Sequence, residues 1–252
     1  MLKLKELTKD FGGLRAVDHV NFEVKEGILT SLIGPNGSGK STVFNMISGV
    51  LIPNAGSIHW KDKKIDGLRS HKILRMGIGR TFQELRIFGN LTVIENVMVG
   101  FRSMNKWGML GSILRLPGER KERRILREKA EALLALLGIV DKSNRMPDSL
   151  PYAEQRMIDV ARALAHEPKV VLLDEPAAGM NPKEKKVLSE TLIKINKELC
   201  NTIFLIEHDM SFVMSLSDHI GVLNFGRLIA EGVPEEIQNN DDVIKAYLGE
   251  PE

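Results

Sequence analysis

Short apolar runs alternate along this chain with longer amphipathic stretches. The apolar runs predict strands at residues 2–5, 20–24, 28–33, 170–174, 202–206 and 220–224. Helical stretches separate most of these runs, which favours a largely parallel sheet covered by helices, with an antiparallel portion near the N-terminus. The pattern therefore predicts an α/β fold.

Two amphipathic stretches show helical spacing. A helix is expected from about Lys40, with Gly49 near its end. Its buried face would be formed by Val43, Phe44, Ile47 and Val50. Residues 102–148 differ in composition from the segments around them and are rich in Met, Leu, Lys and Arg. The apolar residues at helical spacing in this segment are Leu126, Ala130, Leu133, Leu134 and Leu137. This segment is predicted to be a mostly helical insertion.

Composition narrows the classes of protein that fit. The 252 residues can bury a substantial core, and 35 Lys and Arg against 33 Asp and Glu leave a net charge of +2. This balance argues against nucleic acid as the main partner. The basic block 119–129 has interleaved acidic residues and no aromatic residue, as expected of a solvated helix face. The lone Cys200 excludes an intramolecular disulfide, and no run of eighteen apolar residues occurs, so a soluble, cytoplasmic chain is expected.

The stretch GPNGSGKST, residues 34–42, follows a predicted strand and opens a predicted helix. Its glycines would let backbone N–H groups wrap closely around a phosphate. Lys40 would reach the β- and γ-phosphates, and Ser41 would offer its hydroxyl to Mg²⁺. The residues expected to hold the phosphates are Asn36, Gly37, Ser38, Gly39, Lys40, Ser41 and Thr42. The alternative is a glycine-rich turn with an accidental lysine.

Polar residues at predicted strand ends supply the remaining parts of a phosphoryl-transfer site. Asp174 and Glu175 end one apolar strand, where Asp174 would face Mg²⁺ and Glu175 would orient or deprotonate the attacking water. His208 follows the next strand and would contact the γ-phosphate or the water, while Gln83 would complete the magnesium and water shell. The alternatives are an acidic pair that caps a helix and a histidine with a purely structural role.

Taken together, GPNGSGKST, TFQ, LPYAEQR, VVLLDEP and IEH resemble, in order and rough spacing, the nucleotide-binding subunit of ABC transporters over nearly the whole chain. More narrowly, RTFQELRIF, DEPAAGMNP, IEHDMSFVM and VIKAYLGE resemble the ATP-binding subunit of branched-chain amino-acid importers. The resemblance implies one P-loop NTPase domain of the ABC type. Its mainly parallel core and antiparallel β subdomain would comprise residues 1–90 and 166–252, and a helical lobe would comprise residues 91–165.

The resemblance also implies how the nucleotide is held. Two such domains would close head to tail, with each ATP between the phosphate loop of one and the signature segment of the other. An aromatic side chain at Phe11 would stack on the adenine, with Val17 beside it. Asn181 would lie in the loop between the two sites, at a position that many relatives fill with aspartate.

The signature segment departs from the wider family, in which it reads Leu-Ser-Gly-Gly-Gln, whereas residues 150–154 here read LPYAE. Tyr152, Ala153 and Glu154 would then face the nucleotide. Pro151 removes a hydroxyl and an N–H donor, although its fixed φ suits a helix start. Ala153 keeps its N–H at the positive end of the helix. We expect a working site, weakened by about 1.5–3 kcal/mol for one lost charge-assisted hydrogen bond; the alternative is an inactive signature.

The predicted function is that of an ATPase subunit that uses ATP and Mg²⁺ at the cytoplasmic face of the cell membrane. The implied partners are a second ATPase subunit, integral-membrane permease subunits that dock beside Gln83 and residues 84–88, and indirectly an extracytoplasmic solute-binding protein. No nucleic acid is expected among them. Import of branched-chain amino acids is implied by the resemblance. The alternatives are lipopolysaccharide export, urea or amide uptake, or a soluble ABC-type ATPase acting on ribosomes or DNA.

Overall fold

The structure, a computed structural model, describes residues 1–81, 84–101, 117–199 and 201–248. The chain forms two compact units. One, the core unit, consists of Met1–Arg80 with Lys169–Glu252, and the other, the helical unit, consists of Thr81–Pro168. In the described residues, no helix is both long enough and apolar enough to cross a membrane.

The core unit contains ten strands among its described residues: β1 (Leu2–Phe11), β2 (Leu14–Val24), β3 (Leu29–Ile33), β4 (Ala55–Trp60), β5 (Lys63–Lys64), β6 (Ile78–Arg80), β7 (Val170–Asp174), β8 (Thr202–Ile206), β9 (His219–Asn224) and β10 (Arg227–Gly232). The helices described in both units are α1 (Lys40–Ile47), α2 (Ser70–Arg75), α3 (Val93–Gly100), α4 (Pro117–Leu136), α5 (Tyr152–Leu164), α6 (Pro182–Leu199), α7 (Met210–Met214), α8 (Pro234–Gln238) and α9 (Asp241–Leu248).

The strands of the core unit form two sheets. A four-stranded sheet has the order β2-β1-β4-β5 and is antiparallel throughout. A six-stranded sheet has the order β10-β9-β3-β8-β7-β6, in which β9 to β6 run parallel and β10 pairs with β9 antiparallel. The predicted α/β fold, with a mainly parallel sheet and an antiparallel portion near the N-terminus, is confirmed.

The register at the centre of the parallel sheet decides where the functional residues lie. Ile206 of β8 pairs with Leu32 of β3 on one side and with Asp174 of β7 on the other. The carboxyl ends of these three adjacent strands therefore lie at one edge. Beneath them, Phe204 packs against Phe44 of α1, with ring centroids 4.9 Å apart, so the core supports this edge directly.

The first two strands are longer than the predicted segments 2–5 and 20–24. Glu6 and His19 have positive φ values of 48° and 52°, and the pairing of β1 with β2 shifts register between Leu4 and Leu7. Such irregularities interrupt the alternation of buried and exposed side chains from which strands are predicted. The expectation for Val50 is wrong, because α1 ends at Ile47 and this side chain is 55% exposed.

The helical unit is built around α3, α4 and α5, which contact one another. Helix α4 confirms the predicted helical spacing over residues 126–136, whereas residues 102–116 of the predicted insertion lie outside the described residues. Helices α3 and α5 approach closely at Gly100, where an added Cβ would lie 2.6 Å from the Cβ of Ala165. The region between α4 and α5 contains two 3₁₀ turns, Val140–Lys142 and Pro147–Ser149.

Candidate active site

The phosphate-loop segment, residues 34–42, connects β3 to α1 at the carboxyl edge of the parallel sheet. The backbone conformation and the tight packing of this loop require glycine at two of its positions. Gly39 has a φ of 103°, and a Cβ there would lie 2.4 Å from the carbonyl oxygen of Ala16. A Cβ at Gly34 would lie 2.0 Å from the oxygen of Leu223. Only glycine fits these close approaches, which fold the loop tightly over the start of α1.

Lys40 is the first residue of α1, and its ammonium group lies inside the loop. Its Nζ donates to the carbonyl oxygens of Gly34 and Pro35 at 2.8 and 2.9 Å. Burial lowers the pKa of Lys40, and the nearby Glu175 and Glu207 act in the opposite direction. Gly39, the N-cap of α1, contributes no capping side chain. The positive end of the helix and a fixed ammonium group therefore lie together, an arrangement suited to phosphate.

The remaining loop residues surround this ammonium group. Asn36 and Gly37 are exposed at the tip, whereas Ser38 is buried and its Oγ lies 3.4 Å from the Nζ of Lys40. Ser41 and Thr42 are half-buried in the first turn of α1. The structure thus brings the predicted phosphate-binding residues together in one loop and helix start.

Asp174 ends β7 as a buried carboxylate with a buried cationic partner. Its Oδ2 lies 2.8 Å from Nη2 of Arg80, which ends the adjacent strand β6. Nη1 of the same guanidinium bonds the hydroxyl of Ser48 and lies 3.5 Å from the oxygen of Phe44, both at the C-terminal end of α1. Arg80 therefore links the end of β7 to the helix that follows the phosphate loop.

Glu175 follows Asp174 in an unusual backbone conformation, with a φ of 45°. Its N–H donates to the oxygen of Ile206 on β8 at 3.0 Å, and its own oxygen accepts from the N–H of Ala178 at 3.2 Å. A non-glycine residue in this region stores strain that its surroundings must hold. Glu175 is half-buried in the bend that follows β7.

Glu207 and His208 follow β8, the strand between β3 and β7. Glu207 is 1% exposed, and its carboxylate accepts from the N–H of Ala177 at 2.8 Å and from that of His208 at 3.2 Å. Burial raises the pKa of Glu207, partly offset by these two hydrogen bonds. The side chain of His208 is 51% exposed, with its Nδ1 3.8 Å from Glu207. Asp174, Glu175 and His208 thus lie at or just beyond the ends of adjacent strands, and Lys40 begins the helix that follows the neighbouring strand β3.

In the helical unit, α5 begins immediately after Pro151, its N-cap residue, which has no capping side-chain bond. Tyr152 is exposed, while Ala153 and Glu154 are half-buried in the first turn. The Tyr152 ring centroid lies 5.9 Å from the guanidinium carbon of Arg156. Gln155 fixes the entry to the helix by donating from Nε2 to the oxygen of Leu150 at 2.9 Å. The helix start is therefore ordered without a hydroxyl at residue 151.

Comparisons with known proteins decide the family. Residues 17–178 match the family described as ABC transporter, and residues 227–252 match the one described as branched-chain amino acid ATP-binding cassette transporter. The chain belongs to the ABC transporter family. As in the rest of this family, it is an ATPase of the ABC type and binds nucleotide.

Similar proteins agree over almost the whole length. The chain is 44% identical to the high-affinity branched-chain amino acid transport ATP-binding protein LivG of Escherichia coli over 99% of this chain and 98% of LivG. It is equally similar, with the same coverage, to BraF of Pseudomonas aeruginosa, which carries the same description. A solved ATP-binding cassette of an ABC transporter in its ADP conformation shares 30% identity, covers 99% of both chains and has a TM-score of 0.86. A dimeric bacterial ABC transporter cassette has a TM-score of 0.78 at 28% identity, covering 93% of this chain and 99% of its own.

In this ABC cassette, the two residues expected near the adenine differ in exposure. Phe11 ends β1 with 44% of its surface exposed, and the Nζ of Lys9 lies 5.3 Å from its ring centroid. Val17 is fully buried, and its Cγ2 would lie 3.5 Å from a Cβ at Gly39. Phe11 is therefore the member of the pair with a surface available for stacking, and Val17 packs beneath the phosphate loop.

Asn181 is the N-cap residue of α6, which begins at Pro182. Its Oδ1 accepts from the N–H groups of Lys183 and Glu184, both at 3.0 Å, while Glu184 Oε2 accepts from the N–H of Asn181 at 2.9 Å. This is the reciprocal pattern of a capping box. Asparagine and aspartate cap helices about equally well, so the asparagine keeps the helix start that an aspartate would provide.

Gln83 lies outside the described residues, so the structure says nothing of its position. The neighbouring segment 84–88 ends at Phe88, whose side chain is 43% exposed. The backbone N–H of Phe88 donates to Oδ1 of the buried Asn96 at 2.9 Å, and the carbonyl oxygen of Phe88 accepts from Nδ2 of Asn96 at 3.0 Å. The Phe88 ring centroid lies 5.0 Å from the guanidinium carbon of Arg162. An exposed aromatic side chain is thus held on a fixed backbone.

Two residues of this site were missed from the sequence. Arg80 ends a three-residue strand too short to be recognised, and its pairing with Asp174 spans 94 positions. Glu207 lies between the apolar run 202–206 and His208 in the sequence. Its signal was present, because an acidic residue at the end of an otherwise apolar strand must be compensated if it is buried.

Proposed function

We propose that this chain is the ATP-binding subunit of an importer of branched-chain amino acids. The observation that carries this proposal is the 44% identity, over nearly full length, to LivG and BraF, whose names state that transport. The match at residues 227–252 supports it independently of the catalytic motifs. Those motifs serve ATP hydrolysis in general, whereas the C-terminal match is specific to one class of transporter.

ATP hydrolysis proceeds by in-line attack of water on the γ-phosphorus, as the bond to the β–γ bridging oxygen breaks and ADP leaves. Lys40 offsets negative charge on the phosphates from its position inside the loop. Glu175 orients the water and accepts its proton. His208, more than half exposed after β8, contacts the γ-phosphate or the water. The positive end of α1 completes the electrostatic stabilisation.

The oxygen donors at this edge fit Mg²⁺ that arrives with the nucleotide. In the described part of the chain, no group of three or more His, Cys, Asp or Glu is placed to hold a metal ion. Mg²⁺ usually binds through one or two carboxylates together with substrate phosphates and waters. Asp174 and the hydroxyl of Ser41 would hold it, with Gln83 as the third expected ligand. Bound there, Mg²⁺ would neutralise charge on the β- and γ-phosphates.

The second half of each ATP site comes from the signature segment of another ATPase subunit, either a second copy or a related chain. The start of α5 offers its N–H groups and helix dipole to the γ-phosphate, and Tyr152, Ala153 and Glu154 line it. Closing and opening of this dimer drive the transport cycle.

The chain acts at the cytoplasmic face of the membrane through separate permease subunits, and an extracytoplasmic solute-binding protein is an indirect partner. The exposed Phe88 is a suitable contact for a permease helix, because Asn96 holds its backbone on both sides. An aromatic anchor with little freedom loses little entropy on binding.

Uptake measurements test the transported solute. When the gene for this chain is deleted in the organism that carries it, uptake of radiolabelled leucine, isoleucine and valine should fall. The wild-type chain should restore it, whereas the Glu175→Gln variant should not. Loss of urea or amide uptake with normal leucine uptake would assign the chain to a different importer. Salt-sensitive binding of the purified chain to RNA or DNA, with normal uptake of all these solutes, would indicate a non-transport ATPase.

A further inference from the structure

Glu207 is a buried carboxylate to which the mechanism above assigns no role. It is 1% exposed, and burial raises its pKa. Moving a carboxylate out of water is unfavourable unless hydrogen bonds or opposite charges compensate. A chain with no use for the charge would place an apolar side chain at the end of β8, as it does at the four positions from Ile203 to Ile206.

The two oxygens of Glu207 contact two different segments. Oε1 accepts from the N–H of Ala177, in the turn that follows Glu175, at 2.8 Å. Oε2 accepts from the N–H of His208 at 3.2 Å and lies 3.8 Å from the Nδ1 of the same residue. The second distance is longer than a hydrogen bond, so the contact with the ring is electrostatic. One carboxylate thus links the turn after β7 to the end of β8.

The turn after β7 depends on such support. Glu175 has a φ of 45°, a strained conformation for a non-glycine residue that persists only when surrounding contacts impose it. Two contacts from the β8 side do so: the oxygen of Ile206 accepts from the N–H of Glu175 at 3.0 Å, and Glu207 accepts from the N–H of Ala177. The Glu207 contact is the one that a side-chain substitution can remove.

We infer that Glu207 is a positioning residue for ATP hydrolysis, which holds the Glu175 turn and His208 in one fixed relation. The inference rests on the roles proposed above for Glu175 and His208. Glu207 is not itself the general base, because its carboxylate is buried and both oxygens accept backbone hydrogen bonds. It acts on the reaction through the placement of two other side chains.

The first test is Glu207→Gln. The amide oxygen can still accept from one N–H, but its NH₂ group then faces the other N–H, and one link is lost. We expect kcat to fall at least about tenfold, because a displacement near 1 Å can cost a hundredfold in rate. The KM and Kd for ATP should stay within about twofold, since the hydrogen bonds that hold Lys40 inside the loop do not involve Glu207. The matched control is Glu236→Gln, which alters a carboxylate that accepts the N–H of Val233 at 3.1 Å.

A double substitution separates positioning from general stability. Because Glu207 acts through Glu175 and His208, adding Glu207→Gln to Glu175→Gln should cause a smaller further loss in single-turnover hydrolysis than Glu207→Gln causes in the wild-type background. Glu207→Asp, which keeps the charge on a shorter side chain, should lie between wild type and Glu207→Gln and serves if the latter does not fold. A normal kcat in both Glu207→Gln and Glu207→Asp would overturn the inference. A fully additive loss in the variant that combines Glu207→Gln with Glu175→Gln would also overturn it. Normal hydrolysis by Glu175→Gln alone would instead overturn the proposed mechanism.

Discussion

The phosphate loop and the signature segment both present the start of a helix to a proposed phosphate site, yet they are built differently. At the phosphate loop, Gly39 has a left-handed backbone and Lys40 places a buried ammonium group beside the start of α1. At the signature, α5 begins after Pro151 with no capping side chain and no lysine or arginine in its first turn. If both segments bind phosphate as proposed, the comparison teaches that the first would depend on charge and on a glycine backbone, and the second on N–H groups and the helix dipole.

The largest effect is expected in the core unit, from Glu175→Gln. The amide cannot accept the proton of the attacking water, so hydrolysis should fall by about 10²–10⁴-fold. ATP binding should persist, because Lys40 and the loop are unchanged. Phosphate release measures the first effect, and mass measurement with and without ATP should show an ATP-dependent dimer. The control is Glu190→Gln, at an exposed position of α6. A normal rate in Glu175→Gln would remove the base from the mechanism.

Arg80→Met should have the next largest effect, this time on stability. The substitution removes the guanidinium 2.8 Å from the buried Asp174 carboxylate. Breaking a buried ion pair by removing one partner typically costs about 3–5 kcal/mol. The midpoint of chemical denaturation should therefore fall well below that of Arg75→Met, a control at the exposed end of α2. Equal midpoints would mean that the Arg80 pair contributes no net stability.

Gly39→Ala tests whether the phosphate loop depends on the glycine backbone at residue 39. A Cβ at residue 39 would lie 2.4 Å from the oxygen of Ala16, and φ is 103°, so a loss near 3 kcal/mol and weaker ATP binding are expected. Gly37→Ala is the matched variant, because Gly37 has a φ of 80° but nothing within 4 Å of an added Cβ. It should lose only about 1–2 kcal/mol. Similar losses in both variants would show that strain, and not the close approach, dominates.

Most of the fold was predictable because its strands are continuous and buried. The predicted segments 170–174 and 202–206 coincide with β7 and β8, since strands buried on both faces form uninterrupted apolar runs. The first strands were predicted too short, because Glu6 and His19 sit at irregular positions of the β1–β2 pair. Local periodicity cannot indicate where two strands shift register.

The site was predictable where one short segment carries the chemistry, as in the phosphate loop. Its supporting contacts were not, because they depend on which strands are neighbours. Arg80 reaches Asp174 only because β6 lies beside β7, and Glu207 reaches Ala177 only because β8 lies on the other side of β7. The chain order of these strands does not determine their order in the sheet, so these partners became visible only in the structure.

The smallest effect is expected at the signature, from Pro151→Ser. Residue 151 is the N-cap of α5, so a serine hydroxyl there can cap the helix or meet the γ-phosphate of the facing subunit. A charge-assisted bond would add about 1.5–3 kcal/mol, but the hydroxyl must first give up a cap bond worth about 1 kcal/mol. The net gain is about 0.5–2 kcal/mol for each ATP site, so the ATP-dependent dimer of the Glu175→Gln background should become tighter by about two- to thirtyfold per site. Pro234→Ser, at the first residue of α8, controls for loss of a proline at a helix start. Pro151→Ser could instead raise thermal stability and leave the dissociation constant of the ATP-dependent dimer unchanged. The hydroxyl would then only cap the helix, and the signature would bind phosphate through its N–H groups.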